Sequence, residues 1–380
     1  RGIVMYKSYR FRMYPTTSQI ELIHKTFGCT RLVYNYYLEK KKEANLSCFD
    51  MIKDLKNLQA EYPYLKEVDS CSLRCSLFNL DDAFKRYYKK QGSYPKFKSK
   101  YNSRRCYRTN CISSSYKDKT YQSIEVNLKK DIIKLPKLKE VKIRGYRDLE
   151  YLPGRIINAT VEQASTGKYY VSVVVEENDI YTKLMPRKII GIDLGIKDII
   201  ITSDNEKIGN PRLIEKYEKR IKRCQRELSR RIKRSNNYYK TKRRLAVLYQ
   251  KLKNARKYLI HQITKKLVIE NDIIVTENLN IKGMIEEKKI SKHLTNVSLG
   301  EICRVLEYKS NKYGKKYIQI DSYYPSSQIC SKCGYKNEEV KKLSVRSWIC
   351  PECGSYHDRD YNASYNILFE GLKKYIKQYI

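Results

Sequence analysis

Four cysteines near the C-terminus constrain the fold of this chain more than any other feature of its sequence. Cys330 and Cys333 form one C-x2-C pair, and Cys350 and Cys353 form a second pair after a gap of sixteen residues. Two such turns, each followed by a glycine, aim four thiolates at one point and predict a closed, tetrahedral zinc site of the structural kind. Two disulfides or a redox-active C-x2-C pair are the alternatives, but no other feature indicates an oxidising compartment.

The charge of the chain is strongly positive, and this restricts its partners. Its 380 residues include 79 Lys and Arg against 41 Asp and Glu, which gives a formal net charge of +38. A polyanion is the simplest partner for such a protein, because each neutralised phosphate releases counterions. The 36 tyrosines add rings that stack on unpaired bases. No apolar run approaches the length of a membrane span, so we expect no membrane contact and a cytoplasmic protein.

Three carboxylates stand at the ends of predicted elements in the C-terminal half. Asp193 ends a hydrophobic strand, Glu277 ends a second one, and Asp360 lies at the start of the last predicted helix. Because adjacent strands of an α/β sheet end at one crevice, we expect the three side chains to converge. Such a cluster selects Mg²⁺ or Mn²⁺, and two of these ions clamp a phosphodiester during hydrolysis. Taken singly, the same residues are explained as a turn former, a strand-end charge and a helix N-cap.

Hydrophobic periodicity predicts a multidomain α+β protein. Tyr6 to Tyr14 predicts a strand with a basic face, and helical patterns follow to about residue 90. Short strands predicted between residues 106 and 177 indicate a small barrel or sandwich. If the first strand joins them, the helices form an insertion in one β domain. The C-terminal part alternates strands and helices, and residues 211–269 predict a long antiparallel helical hairpin.

Cationic side chains in two regions are candidates for nucleic-acid binding. The first strand and the segment around residues 94–105 combine cations with aromatic residues, a composition suited to contacting a sugar-phosphate backbone. The outer face of the helical hairpin carries a run of positive charge that repels itself unless phosphate is near. A solvated linker and a solvated helix face are the alternatives. The candidates are Arg10, Arg12, Lys96, Lys98, Arg104, Arg105, Arg223, Arg226, Arg230, Arg231, Arg243 and Arg244.

Several phrases of the sequence resemble the signature blocks of a known family. They are GIDLGIKD (Gly191 to Asp198), VTENLNIKGM (Val275 to Met284), YPSSQICSKCG (Tyr324 to Gly334), CPECG (Cys350 to Gly354) and HDRDYNASYNIL (His357 to Leu368). Together they resemble TnpB, the transposon-associated RNA-guided DNA endonuclease that is related to type V CRISPR effectors. The opening YKSYRFRMYPTTSQ and the later YPKFKSK are also similar to that family, so the resemblance covers nearly the whole chain.

The resemblance implies a domain organisation and a set of site residues. It implies a wedge-like β-barrel domain at 1–15 and 104–183, and a helical recognition domain at 16–103. It also implies a RuvC-like nuclease domain of RNase H-like fold at 187–380, with the helical hairpin 211–269 and a zinc ribbon insertion at 326–356. The family's catalytic acids fall on Asp193, Glu277 and Asp360. Arg359 resembles the family's arginine and is expected to contact the scissile phosphate or hold a neighbouring carboxylate, while Asp358 orients Arg359 or the ribbon.

The partners implied by the resemblance are a structured guide RNA from the transposon end and target DNA in both double-stranded and single-stranded form. The chain is expected to act as a monomer with its RNA, associated with the nucleoid of a bacterial-type host, and to cleave next to a short adjacent motif. Three other functions remain open. They are a nuclease-silent RNA-guided DNA-binding regulator, an RNase H-fold transposase, and a zinc-ribbon RNA-binding protein without enzymatic activity.

Overall fold

The computed structural model describes residues 3–44, 46–101, 103–116, 119–146, 149–179, 186–211, 213–279, 298–342 and 344–377. The end of the VTENLNIKGM block, from residue 280, lies outside these residues. The chain divides into two compact units, residues 1–180 and 181–380. Each unit is a mixture of helices and strands with its own hydrophobic core, so the multidomain α and β character predicted from the sequence is confirmed.

The N-terminal unit is built on a seven-stranded antiparallel sheet. Its first strand, β1 (Ile3–Tyr14), begins the unit. The later strands are β2 (Cys106–Asn110), β3 (Ser113–Tyr116), β4 (Lys119–Gln122), β5 (Glu125–Asn127), β6 (Ile132–Leu135), β7 (Lys139–Arg144), β8 (Arg155–Gln163) and β9 (Tyr169–Asp179). The strand order is β2-β8-β9-β1-β7-β6-β5, while β3 and β4 form a separate hairpin. Because β1 pairs with β9 along its whole length, the first strand joins the later strands, as predicted.

The sheet of the N-terminal unit is open, whereas the sequence predicted a barrel. Among the described residues, β2 and β5 form its two edges and do not pair with each other. The edge at β2 is covered by helix instead. Cys71 contacts both backbone groups of Asn110, and Thr109 donates a hydrogen bond to Asp69 at 2.6 Å. The contacts of Cys71 satisfy the backbone groups of Asn110 at this edge, and the bond to Asp69 fixes the start of α3 beside β2.

Within the described residues, three α-helices and a 3₁₀ turn (Pro63–Lys66) lie between β1 and β2, where the sequence predicted a helical insertion. The α-helices form the main part of it. They are α1 (Thr17–Glu43), α2 (Cys48–Glu61) and α3 (Ser70–Tyr88). Each starts at a side chain that accepts hydrogen bonds from the first-turn N–H groups, namely Thr16, Ser47 and Asp69. The three helices bury a shared core around Tyr37, so the insertion is held together by its own apolar contacts.

The C-terminal unit contains a mixed five-stranded sheet. Its strands are β10 (Ile189–Asp193), β11 (Asp198–Thr202), β12 (Lys207–Gly209), β13 (Ile273–Glu277) and β14 (Lys316–Ile320). The order is β12-β11-β10-β13-β14, in which β10, β13 and β14 are parallel and β11 and β12 are antiparallel to their neighbours. The central strands are buried on both faces, as expected for their continuous apolar sequences.

Four helices accompany this sheet within the described ranges. They are α4 (Leu213–Ser229), α5 (Asn236–Glu270), α6 (Leu299–Lys312) and α7 (Arg359–Lys377). Helices α4 and α5 form the predicted antiparallel hairpin, and its seam buries Ile221 and Cys224 against Leu248 and Leu252. No helix among the described residues is both long enough and apolar enough to cross a membrane.

Two glycines let α7 pack directly on the central strands. A β-carbon at Gly191 of β10 would lie 2.2 Å from the carbonyl oxygen of Ser364, and one at Gly371 would lie 2.3 Å from Cγ1 of Val275. Both distances are too short for any side chain larger than hydrogen. The helix therefore lies against β10 and β13 at a separation that only glycine permits.

We predict that Gly191→Ala lowers the free energy of unfolding by about 3 kcal/mol or more, because the added methyl group overlaps the backbone of α7. Gly209→Ala is the matched control in the same sheet, since its β-carbon would meet its nearest neighbour at 3.7 Å, an ordinary contact. Urea denaturation of both variants measures the difference. Equal unfolding midpoints would show that α7 adjusts freely and that the close approach is not required.

Candidate active site and metal centre

The four cysteines form one cluster at the end of the C-terminal unit. The Sγ atoms of Cys330 and Cys353 are 3.6 Å apart, as are those of Cys333 and Cys350, and all four lie within 4.8 Å of one another. Four thiolates around a zinc ion, with Zn–S bonds of about 2.3 Å, are about 3.8 Å apart. All four thiols are free rather than disulfide-bonded. The cluster therefore fits a structural zinc ion.

Each cysteine pair lies in the same type of turn. Gly334 and Gly354 donate backbone hydrogen bonds of 2.9 Å to the carbonyl groups of Cys330 and Cys350. Both glycines have positive φ, at 81° and 66°, as the spacing predicted. The cluster is flanked by His357, whose Nε2 atom lies 3.0 Å from Sγ of Cys330. In the tautomer that carries its proton on Nε2, His357 would donate to the thiolate of Cys330 and orient it as a metal ligand.

The strand register brings two of the predicted acids side by side. In the parallel pair β10 and β13, Ile192 is the partner of Thr276, so Asp193 and Glu277 each follow the last paired residue of their strand. Asp193 lies two residues after Gly191, and Glu277 two residues after Val275. Alternate residues of a strand share a face, so both acids lie on the face that is covered by α7.

The third acid reaches the same place from α7. Asp360 lies in the first turn of that helix, four residues before Ser364, whose carbonyl oxygen rests on Gly191. Residues four apart lie on the same face of a helix, so Asp360 is one turn closer to the strand ends. The structure thus brings Asp193, Glu277 and Asp360 together at one edge of the sheet.

The pKa of Asp193 is raised, and the other two acids contribute to the rise. Burial is the largest cause that raises its pKa, and the carboxylates of Glu277 and Asp360 add to the effect. The backbone N–H of Leu194 and the charge of Arg359 oppose it, and the resulting pKa is about 7. Burial also raises the pKa of Glu277. Neighbouring carboxylates of this kind are poised to bind cations, which would remove the repulsion.

The spacing of the acids distinguishes them from the cysteines. Among the described residues, only the four cysteines place at least three possible ligand atoms within 4.8 Å of one another. The three carboxylates do not meet this criterion, so they do not form a compact site for one ion of the kind that the cysteines form. Two ions about 3.5 to 4 Å apart can be shared among carboxylates that do not all meet at one point. Hard oxygen donors of this kind fit Mg²⁺ or Mn²⁺.

Two further residues contact the acids, and the sequence analysis missed both. Ser326 donates a hydrogen bond from its hydroxyl group to Oε1 of Glu277, and it is buried. Arg346 places Nη1 3.7 Å from Oδ1 of Asp360. Ser326 lies within the YPSSQICSKCG phrase, which could have identified it. Arg346 lies in the loop between the cysteine pairs, and no periodicity marks it.

The residues beside Asp360 have different roles. Asp358 accepts hydrogen bonds from the backbone N–H groups of Asp360 and Tyr361, at 3.0 and 3.1 Å, and so caps α7. Its other oxygen lies 2.9 Å from Nζ of Lys207. Burial would raise the pKa of Asp358, but these partners outweigh it and the pKa is lowered. The guanidinium group of Arg359 donates to the carbonyl oxygen of Lys342 at 3.4 Å, rather than to Asp358.

Three of the candidate nucleic-acid-binding residues, Arg10, Arg12 and Arg104, belong to a small network of contacts on the N-terminal sheet. The guanidinium group of Arg10 lies 4.1 Å from the ring centroid of Tyr170, and that of Arg12 lies 5.2 Å from it. Arg10 and Arg104 both form ion pairs with Glu162. These contacts hold the cations in place on one face of the sheet, where both Arg10 and Arg104 are exposed.

The basic segment that precedes β2 is fixed to α1. The side chain of Asn35 bonds to both backbone groups of Lys98, at 2.8 and 2.9 Å. The ammonium group of Lys98 lies 3.4 Å from the ring centroid of Tyr34, and burial lowers its pKa. Lys98 is thus turned toward the protein, whereas Lys96 is exposed and Arg105 donates to the side chain of Gln163.

The candidates on the helical hairpin are all exposed, and Arg231 and Arg244 among them share one acidic partner. Arg231 and Arg244 both form ion pairs with Glu227, which joins the two helices near their turn. The other exposed candidates on this surface are Arg223, Arg226, Arg230 and Arg243. Pairing of Arg231 and Arg244 reduces the repulsion along the hairpin, so part of its charge stabilises the helices.

Three family profiles match consecutive parts of the chain. A profile described as "Probable transposase" matches residues 172–288, and a Cas12f1-like TNB domain matches residues 300–367. A profile described as a helix-turn-helix domain matches residues 5–45, which here form β1 and α1. The second match contains the four cysteines, Asp360 and Ser326. The profiles thus relate this chain to transposase-like and Cas12f1-like proteins.

Whole-chain relatives give the family. A protein of Streptomyces pristinaespiralis named "Putative RNA-guided DNA endonuclease" is 31% identical over 96% of this chain and 89% of its own length. InsQ of Escherichia coli K12, which carries the same description, is 26% identical over 96% of this chain and 92% of its own length. Mimivirus relatives are named TnpB-like proteins. The chain belongs to the TnpB family.

Two solved structures have a similar fold. The Cas12f1 chain of a complex with sgRNA and target DNA aligns with a TM-score of 0.52 at 15% identity, covering 96% of this chain and 98% of that one. The mini-RNA-guided endonuclease CRISPR-Cas phi3 aligns with a TM-score of 0.57 at 11% identity, covering 97% of this chain and 92% of that one. These alignments show that the multidomain α/β architecture is shared.

We predict that Asp193→Asn stabilises the protein in Mg²⁺-free, zinc-replete buffer. The pKa of Asp193 in the folded state, about 7, is above its value of about 3.9 in an unfolded chain. The folded state therefore binds more protons between these values, and the free energy of unfolding falls as the pH rises through them. The asparagine amide is neutral at both pH values, so the variant avoids the cost of ionising a buried carboxylate. We expect a gain of up to a few kcal/mol at pH 8 and a smaller gain at pH 5.

Urea denaturation at both pH values measures this gain. Asp204→Asn is the control, because Asp204 is an exposed acid in the same unit, paired with Lys188 at 3.0 Å. It should show no gain that grows with pH. An equal effect of Asp193→Asn at both pH values would mean that Asp193 is ionised throughout this range and that its pKa is not raised in the folded state.

Proposed function

We propose that this protein is an RNA-guided, metal-dependent DNA endonuclease that hydrolyses phosphodiester bonds at the edge formed by β10, β13 and α7. The observation that carries the proposal is the convergence of Asp193, Glu277 and Asp360 on one face of the sheet. Relatives that align over most of their length are named RNA-guided DNA endonucleases, which agrees with this use of the acids. A sequence that needed only a hydrophobic core would gain nothing from three mutually repelling carboxylates.

The proposed fold of the C-terminal unit is that of a RuvC-like, RNase H-like domain. The order of its sheet supports this proposal. An antiparallel hairpin, β11 and β12, extends from one side of β10, and parallel strands β13 and β14 extend from the other. The helical hairpin and the cysteine ribbon then follow as insertions between these elements. The proposed zinc ion in the ribbon has a structural role.

The three acids would hold two Mg²⁺ or Mn²⁺ ions, with Asp193 placed between the other two. Such ions, when bound, activate water and neutralise charge on the leaving oxygen of the phosphodiester. Ser326 occupies one oxygen of Glu277 and leaves the other available as a ligand. Arg346 balances the charge of Asp360 until cations replace it. Arg359 donates a long side-chain hydrogen bond, 3.4 Å, to the carbonyl oxygen of Lys342, and a phosphate would replace this weak contact.

A guide RNA and target DNA are the proposed partners of the cationic surfaces. The exposed cations of the hairpin and of the N-terminal sheet carry charge for a sugar-phosphate backbone, and the net charge of +38 gives the binding a strong salt dependence. Pairing with the guide would supply sequence specificity, so the protein needs only shape and backbone contacts. The adjacent motif, the monomeric state and the cytoplasmic location stay predictions.

We predict that Asp193→Ala, Glu277→Gln and Asp360→Asn each lower the rate of guide-dependent plasmid cleavage by about 10³-fold or more. The reason is that each variant removes a ligand whose charge stabilises the transition state by several kcal/mol. The assay uses the full chain co-expressed with the flanking transposon RNA, a plasmid library and Mg²⁺. Asp204→Asn is the matched control and should cleave at the wild-type rate.

The same assay separates the alternatives. Guide-directed DNA binding without cleavage by the wild type would favour the nuclease-silent regulator. Strand joining that does not depend on a guide would favour a transposase, which the description of the matched profile also names. Full cleavage by Asp193→Ala would show that the proposed acids are not the active site.

A further inference from the structure

One short segment connects the four-cysteine cluster to the acids. Residues 326–331 run from Ser326, which donates its hydroxyl hydrogen bond to Glu277, to Cys330, the first residue of the cluster, and Ser331. This clamp segment follows β14 and is the first part of the cysteine ribbon. Ser326 and Cys330 are both buried, at 6% and 1% exposed. A movement of the cysteine cluster would therefore also move Ser326 and its hydrogen bond to Glu277.

Two buried amides of α7 fix the clamp segment. Asn366 donates hydrogen bonds to the carbonyl oxygens of Ser326 and Ile329, at 2.7 and 2.6 Å. Asn362, one turn earlier, donates to Ile329 at 2.7 Å and accepts from the N–H of Ser331 at 3.0 Å. Both amides are at most 3% exposed, so water does not compete for these bonds. The segment is thus held on both sides of Cys330 by the helix that carries Asp360.

The contact between Ser326 and Glu277 limits the freedom of a flexible side chain. Glutamate has three rotatable side-chain bonds, and a carboxylate that is held by a buried hydroxyl group loses most of that freedom before a cation binds. The hydrogen bond occupies Oε1 and leaves Oε2 available to a cation. Groups that orient metal ligands in this way typically change metal affinity by about 10- to 100-fold when they are removed.

We propose that Ser326 is a positioning residue for Glu277, and that the four-cysteine cluster, acting through the clamp segment, holds its hydroxyl group in place. Occupancy of the cysteine cluster by zinc then regulates the affinity of the acid site for divalent cations. This inference rests on the proposed function of the acid site. It gives the ribbon a task in addition to any contact with nucleic acid.

The variant Ser326→Ala tests the inference in the full chain. Mn²⁺ binding is followed by electron paramagnetic resonance of the free ion, with zinc content and melting temperature measured on the same samples. We expect Mn²⁺ binding to weaken about 10- to 100-fold while the zinc content stays unchanged. Ser326→Thr keeps the hydroxyl group and should restore binding. Ser364→Ala is the matched control, because Ser364 is a buried serine whose hydroxyl group donates within α7 to the carbonyl oxygen of Tyr361 at 2.7 Å.

A zinc-depleted arm tests the link to the cysteines. Removal of zinc from the wild type with a zinc-selective chelator should weaken Mn²⁺ binding by a factor similar to that of Ser326→Ala. In the Ser326→Ala variant, the same treatment should add little, because effects that act through one contact are not additive. A matching rise in the Mg²⁺ concentration needed for half-maximal cleavage, with maximal rate retained, would support the positioning role.

The inference is overturned if Ser326→Ala and Ser364→Ala bind Mn²⁺ equally, or if zinc depletion weakens binding by the same factor with and without the Ser326 hydroxyl. Failure of the proposed function is recognised separately. In that case, Asp193→Ala binds Mn²⁺ as tightly as the wild type, whatever the behaviour of Ser326.

Discussion

The C-terminal unit depends on the close approach of α7 to the two central strands. Gly191 and Gly371 allow this approach, since a β-carbon at either position would overlap Ser364 or Val275. The approach determines where the first turn of α7 lies, and therefore where Asp360 lies relative to Asp193. The acids of the site are far apart in the sequence. They meet because two glycines let α7 lie close to the strands. The same close packing of α7 on β10 and β13 therefore determines both the hydrophobic core and the positions of the acids.

The convergence of the acids opposes folding, and the surrounding contacts limit that cost. Burial and mutual repulsion raise the pKa of Asp193 to about 7, so in the absence of cations it is partly protonated near neutral pH. Ser326, Arg346 and the cap formed by Asp358 each satisfy one charged group or helix end nearby. Strain of this kind is common where a protein is organised to bind a ligand that relieves it. In this account, divalent cations are that ligand.

Sequence patterns predicted the elements that have local signals. The spacing of the cysteines predicted the four-cysteine cluster. Apolar runs predicted β10 and β13, and helical periodicity predicted the helical hairpin. The predicted element ends marked the positions of the three acids. The contacts of Ser326 and Arg346 were not predicted, because each depends on a tertiary contact without a local signal. The inward turn of Lys98 toward Tyr34, and the cover over the sheet edge at β2, were missed for the same reason. A sheet closes into a barrel only if its two edge strands pair, and the sequence of one strand alone does not determine that pairing.

The most direct test of the central claim is the position of bound Mn²⁺, located by anomalous X-ray scattering from crystals of the full chain with guide RNA. The account predicts two Mn²⁺ peaks within about 2.5 Å of carboxylate oxygens, with Asp193 between Glu277 and Asp360, and a separate zinc signal among the four cysteines. Peaks that avoid Asp193, or a single ion held elsewhere on the sheet, would contradict it.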